Sequence, residues 1–323
     1  MENAQKSFMS PRLNHFSSLG PHGFHRVGYT EWGNPRSDHL VVCVHGLTRN
    51  NRDFDELAED LAGHGYRVAC MDVVGRGSSD WLEHKEDYGF ALYVSDAAAL
   101  IARITAPPAA GLGALLRALR GAGEEPKIDW IGTSMGGLIG MMLAAKPNSP
   151  IRRLVLNDVG PLVPWPALVR LKLATSGAGT RFADLDEVER HLRGACASFG
   201  PLRDSQWRHL AAYGSQRRED GSYVLAYDPA IVNTMRRPSN AGVEFGNDFL
   251  LGIDLWPVWD AVKCPTLVVR GNESDLLLES TARQMQSRGP RAEVVEIPGV
   301  GHAPWLMSED QIRIVRSFLA GES

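Results

Sequence analysis

Ser134 is the residue in this sequence best placed to do chemistry. It stands in Gly132-Thr133-Ser134-Met135-Gly136-Gly137, directly after the apolar run IDWIG and before LIGMMLAAK. A G-x-S-x-G turn joining a strand to a helix is a nucleophile elbow, a sharp bend that lifts a hydroxyl above a sheet. The glycines leave room for that backbone, and the helix that begins here directs its positive end at developing oxyanion charge. A serine hydroxyl is a poor nucleophile without a base. His302, in Gly299-Val300-Gly301-His302-Ala303-Pro304 after the run AEVVEI, is the candidate. The base in turn needs a carboxylate to fix its tautomer and stabilise the imidazolium. Three carboxylates follow strand-like runs: Asp158 after LVLN, and Glu273 and Asp275 in RGNESD after TLVV. Oxyanion stabilisation needs two converging backbone N–H groups. Met135 should supply one and Leu47, in His45-Gly46-Leu47 after LVVCV, the other. His45 should hold that loop rather than transfer protons.

The elements that position these residues alternate. FHRVGYTEW, HLVVCV, YRVACMDV, KIDWIG, IRRLVLND, PTLVVRG and AEVVEI read as strands. Between most of them lie helical windows such as RDFDELAEDLAGHG, apolar at Phe54, Leu57, Ala58 and Leu61. Strand and helix in alternation imply an α/β protein with a mostly parallel sheet covered on both faces. The first two runs lack an intervening helix and should form an antiparallel edge. Residues 1 to about 22 read as an extended lead-in, with His15, His22 and His25 in a solvated loop rather than a metal cluster. Residues 105–126 read as a low-complexity insertion in which Pro107-Pro108 ends a helix. About a hundred residues separate LVLND from PTLVVRG, too many for a structureless loop, and should form a helical subdomain. Asp72-Val73-Val74-Gly75-Arg76-Gly77-Ser78-Ser79-Asp80 contains G-x-G after a strand but lacks the third glycine of a dinucleotide fingerprint, so a tight turn is expected.

With 323 residues, 44% hydrophobic and 22% charged, the chain has the composition of an ordinary globular protein. A net charge of -4 argues against a nucleic-acid partner. The four cysteines show no CxxC spacing, and no HExxH appears, so neither a metal nor a cofactor is implied. There is no signal-peptide pattern and no 18-residue apolar stretch, which points away from a membrane and towards the cytoplasm.

HG at 45–46, DVVGRGSSD at 72–80, GTSMGG at 132–137, RGNESD at 270–275 and GVGHAP at 299–304 together resemble the α/β-hydrolase fold family over nearly the whole chain. The resemblance implies an eight-stranded, mostly parallel sheet with a helical cap inserted after strand 6. Core would span 1–159 and 263–323, and cap 160–262. It implies a catalytic triad in the chain order serine, acid, histidine, which Ser134, Asp275 and His302 obey. RGNESD resembles the usual acid-bearing loop, which favours Asp275 over Asp158. A serine nucleophile departs from the haloalkane dehalogenases and epoxide hydrolases of this fold, which use aspartate. GTSMGG resembles carboxylesterases, enol-lactone hydrolases and carbon–carbon hydrolases of ring-fission products. The last usually have His-Trp where this chain has His302-Ala303. The expected activity is hydrolysis of a small-molecule carboxylic ester or lactone through an acyl-enzyme, falling in acid as the base protonates. The alternatives are carbon–carbon bond hydrolysis, with Arg236 and Arg237 as candidates to grip an anionic substrate, a cofactor-free perhydrolase, and a non-enzymatic binding module.

Overall fold

The computed structural model describes residues 10–106, 127–174, 179–234 and 253–322. The chain begins with strands β1 (Arg12–Gly20), β2 (Gly23–Trp32) and β3 (Leu40–Val44), then helix α1 (Asp55–Gly63), β4 (Arg67–Met71) and α2 (Phe90–Thr105). β5 (Ile128–Thr133), α3 (Met135–Ala144) and β6 (Ile151–Asn157) follow. The long segment after β6 holds β7 (Leu162–Val163), α4 (Trp165–Ala174), α5 (Leu185–Ala195), α6 (Asp204–Tyr213), β8 (Ser215–Arg217), β9 (Tyr223–Leu225), α7 (Ala230–Thr234), β10 (Ile253–Asp254) and α8 (Trp256–Ala261). β11 (Thr266–Gly271), α9 (Glu279–Ser287), β12 (Glu293–Ile297) and α10 (Glu309–Ala320) complete the order.

Eight strands form one sheet in the order β1-β2-β4-β3-β5-β6-β11-β12. From β4 through β12 the pairings are parallel. All five residues of β3 are buried, as expected of a strand covered on both faces. On one side Phe54, Leu57 and Leu61 meet Ile312, Val315 and Phe318 of α10. On the other, Leu100 of α2, Ile139 of α3, Trp259 of α8 and Met285 of α9 close the core. α2 ends at Thr105, ahead of Pro107; residues 107–126 of that insertion lie outside the described residues.

The antiparallel edge is β1 with β2, and β2 pairs antiparallel with β4. HLVVCV is an interior parallel strand instead, and the polar lead-in supplies the eighth strand. β1 presents only Phe16 and Ser18 inward, so its sequence carries little apolar alternation. Its partner β2 hides its last six residues. The segment between β6 and β11 is less purely helical than expected, because β7 pairs with β10 and β8 with β9. Phe182, Val188, Leu192, Trp207 and Leu210 of that segment form a third apolar cluster with Trp305 and Met307. The insert is thus rooted on the loop that follows His302.

Candidate active site

Ser134 ends the β5-to-α3 turn with φ 53° and ψ −116°, a strained backbone for a residue with a side chain. Close packing permits nothing larger beside it. A Cβ on Gly132 would lie 2.3 Å from the Gly136 carbonyl carbon, and one on Gly136 would lie 2.0 Å from the Val44 oxygen. The bend is pinned by the Ser134 N–H, which donates to Asn157 O at 3.0 Å. Trp130 Nε1–H donates to Gly136 O at 3.1 Å.

His302 is delivered after β12 and is buried, 4% exposed. Its Nε2 lies 3.0 Å from Ser134 Oγ and its Nδ1 lies 2.7 Å from Asp158 Oδ2. The serine–histidine juxtaposition expected from sequence is therefore present. The expected acid is not. Asp275 points outward and pairs with Arg170, Nε to Oδ2 at 2.5 Å and Nη2 to Oδ1 at 2.7 Å, with half of its side chain exposed. The carboxylate on His302 belongs to Asp158, the residue after β6, which is wholly buried with φ 54°. Asp158 Oδ1 accepts from the Gly271 N–H at 2.9 Å. The physical reason lies in the sheet. β6 and β11 are parallel neighbours, and the Asp158 N–H donates to Val269 O at 2.7 Å. The loop RGNESD does reach the site, but through Gly271 and Ser274 rather than through its acids. Glu273 contributes its backbone N–H to Val300 O at 2.9 Å.

Leu47 lines the same cavity as Ser134, and Met135 is the first residue of α3. Between them lies Arg76, wholly buried, which sequence reading took only as part of a turn. Its Nε–H donates to Leu47 O at 2.8 Å and its Nη1–H to Val74 O at 2.7 Å. Its Nη2 lies 3.6 Å from Met135 Sδ, and the guanidinium sits 4.9 Å from the Tyr93 ring centre. The turn itself matches expectation, with Gly75 and Gly77 at φ 86° and 53° and Asp72 capping Ser78 at 2.8 Å. His45 holds the loop: Nε2 accepts from the Val73 N–H at 3.0 Å, so Nδ1–H donates to Gly46 O at 2.7 Å. Burial lowers its pKa to about 3, so the ring is neutral wherever the protein is folded near neutrality.

The cavity over Ser134 measures about 130 Å³ and is lined by Leu47, Arg49, Arg170, Phe199 and Trp305 among others. Trp305 packs on Phe199 with ring centres 5.1 Å apart. A wider cleft of about 860 Å³, flanked by Glu56, Glu59, Asp60 and Glu309, holds none of the candidate residues. Arg236 and Arg237 lie outside the described residues. Outside that cavity lining, His22, His84 and Glu86 are exposed with ligand atoms within 4.8 Å of one another, so that surface could hold a metal ion. Asp87 Oδ2 lies 2.8 Å from His22 Nδ1 there. Among the described residues no helix is long and apolar enough to cross a membrane.

Residues 41–315 match the model of the alpha/beta hydrolase family. The 3-hydroxybutyrate-oligomer hydrolase of Cupriavidus necator is 41% identical over 315 residues, covering 97% of this chain and 99% of that protein. The 2-(acetamidomethylene)succinate hydrolase of Mesorhizobium japonicum is 27% identical and covers 81% of each. The crystal structure of an alpha/beta hydrolase from Novosphingobium aromaticivorans superposes with a TM-score of 0.76 at 32% identity, covering 96% of this chain and 98% of that one.

Proposed function

The chain belongs to the alpha/beta hydrolase family and is a hydrolytic enzyme, and on that footing we propose that it cleaves a short carboxylic ester through an acyl-enzyme formed on Ser134. The observation that carries this reading is one buried imidazole bonded on one side to Ser134 Oγ and on the other to Asp158. Asp158 holds Nδ1 protonated, which leaves the Nε2 lone pair facing the hydroxyl. Ser134 Oγ attacks the ester carbonyl carbon while its proton passes to His302 Nε2. The N–H groups of Leu47 and Met135 receive the oxyanion; Met135 is suited to this because the first N–H groups of a helix have no intrahelical acceptor. His302 then protonates the departing alcohol, and in the second half-reaction it takes a proton from the water that hydrolyses the acyl group. The insert that follows residue 159 acts as a cap through Arg170, Leu171, Ala195, Cys196 and Phe199, which wall the cavity, whereas its last helix, α8, packs into the main core through Trp259.

A cavity of about 130 Å³ is well under the ~300 Å³ at which drug-sized pockets begin, which favours a short acyl group. Similarity to the Cupriavidus enzyme, named for 3-hydroxybutyrate oligomers, favours an oligoester of a short hydroxy acid over a lactone, a peracid-forming reaction or a carbon–carbon substrate. The test is p-nitrophenyl acetate hydrolysis by Ser134→Ala, expected to fall by at least about 10⁴-fold. Retention of the wild-type rate would end the reading.

A further inference from the structure

Of the charged side chains that wall the Ser134 cavity, Arg49 and Arg170 are the cations, and they are held in different ways. Arg49 is locked to Asp53, Nε to Oδ2 at 2.8 Å and Nη2 to Oδ1 at 2.5 Å, and both partners are nearly buried. Asp53 lines the same wall, so the two charges cancel where a substrate would sit. Separating them would strand a desolvated charge. Arg170 differs. It reaches the cavity from α4 of the insert, whereas its partner Asp275, on the loop after β11, is not among the lining residues. Both members of this pair are substantially exposed, 39% and 51%, and exposed ion pairs hold together weakly. The guanidinium grips Asp275 through two parallel donors, a fork that suits any carboxylate.

We propose that Arg170 is the binding site for a free carboxylate on the substrate, with Asp275 standing in for that carboxylate in the empty enzyme. The inference rests on the ester-hydrolase reading and narrows it: the preferred substrate is a linear ester of a short hydroxy acid that ends in an ionised carboxyl group. Asp275 is then a competitor displaced when substrate binds. A plain latch between insert and core would make the opposite demand, since either half of the pair would matter equally.

The probes are a linear 3-hydroxybutyrate dimer ending in a free carboxylate and the same dimer ending in a carboxamide. The readout is the ratio of kcat/KM for acid over amide. Wild type should favour the acid, and less so as salt rises. Arg170→Gln should lower the ratio by about tenfold to a hundredfold, the worth of a hydrogen-bonded charge pair. Arg170→Lys, which keeps the charge without the fork, should fall between the two. Asp275→Asn should raise the ratio a few-fold, up to about fivefold. A wild-type ratio near one, a shift of the same sign in Arg170→Gln and Asp275→Asn, or hydrolysis of p-nitrophenyl acetate with neither dimer cleaved would each overturn the proposal. The ester-hydrolase reading fails separately, through a Ser134→Ala protein that still cleaves p-nitrophenyl acetate. Melting temperatures of the Arg170 variants distinguish a lost fold, which lowers both probes together, from a lost site, which lowers the acid alone.

Discussion

Ser274 donates its hydroxyl to Asp158 Oδ2 at 2.5 Å, the same oxygen that lies 2.7 Å from His302 Nδ1. With the Gly271 N–H on Oδ1, the buried carboxylate is held by the end of β11 and the loop that follows it, and is aimed at the imidazole. A buried charge held this way has no freedom to swing aside.

The acid can therefore be tested directly. Asp158→Asn should lower kcat on p-nitrophenyl acetate by about 10³–10⁴-fold, through loss of the correct imidazole tautomer. Asp275→Asn should change it by no more than a few-fold. Steady-state kinetics on the two variants decide the matter, and the reverse ranking would return the role to Asp275.

Arg76 should matter for turnover through the loop and helix start that it joins. Arg76→Met leaves Leu47 O and Val74 O without their donor, at about 1–3 kcal/mol for each buried group. It also frees the loop that carries the Leu47 N–H. A lower melting temperature together with a kcat loss of about tenfold or more is expected, with KM less affected. Arg76→Lys should recover little, because one ammonium cannot reproduce the guanidinium geometry.

Two glycines beside the nucleophile should respond in opposite ways. Gly136→Ala places a Cβ 2.0 Å from Val44 O, against backbone that cannot yield. Severe loss of folded protein is expected. In Gly46→Ala the new Cβ meets Ser134 Cβ at 3.8 Å, an ordinary contact. That variant should fold, as thermal unfolding would show.

His45 gives the protein an acid-sensitive term. Its folded pKa is lowered to about 3 by burial, against about 6.5 in the unfolded chain. Between those values the unfolded state binds a proton that the folded state refuses, so stability falls as pH drops. The contribution is whole above about pH 6.5 and is lost progressively towards pH 3, by at most about 1.4 kcal/mol per pH unit. Denaturant titrations of wild type and His45→Gln at several pH values should converge in acid; parallel curves would refute the assignment.

Ser134 and His302 were legible in the sequence because each is bound to a local constraint. The elbow needs glycines at 132, 136 and 137, where a Cβ would strike the turn itself, β3 or Val159, and the histidine follows the strand β12. The carboxylate that meets His302 was not legible. Asp158 and Asp275 both follow strands, and both satisfy the order serine, acid, histidine. β6 and β11 lie side by side, one strand spacing apart. Which strand end turns its carboxylate inward is decided by packing that no local pattern records. β1 was missed for a related reason. Leu13 and Leu19 face outward, 57% and 61% exposed, so the edge strand shows no inward apolar stripe to read.

Because Asp158 is the first residue after β6, the root of the proposed cap and the origin of the proposed acid nearly coincide in the chain. Anyone grafting a foreign lid onto this scaffold to change its substrate range should splice after residue 159. A joint two residues earlier would exchange Asp158, the proposed acid, along with the roof. The opposite joint belongs ahead of α8, because Trp259 of that helix closes the main core; Gly271 and Ser274 then lie well inside the retained body.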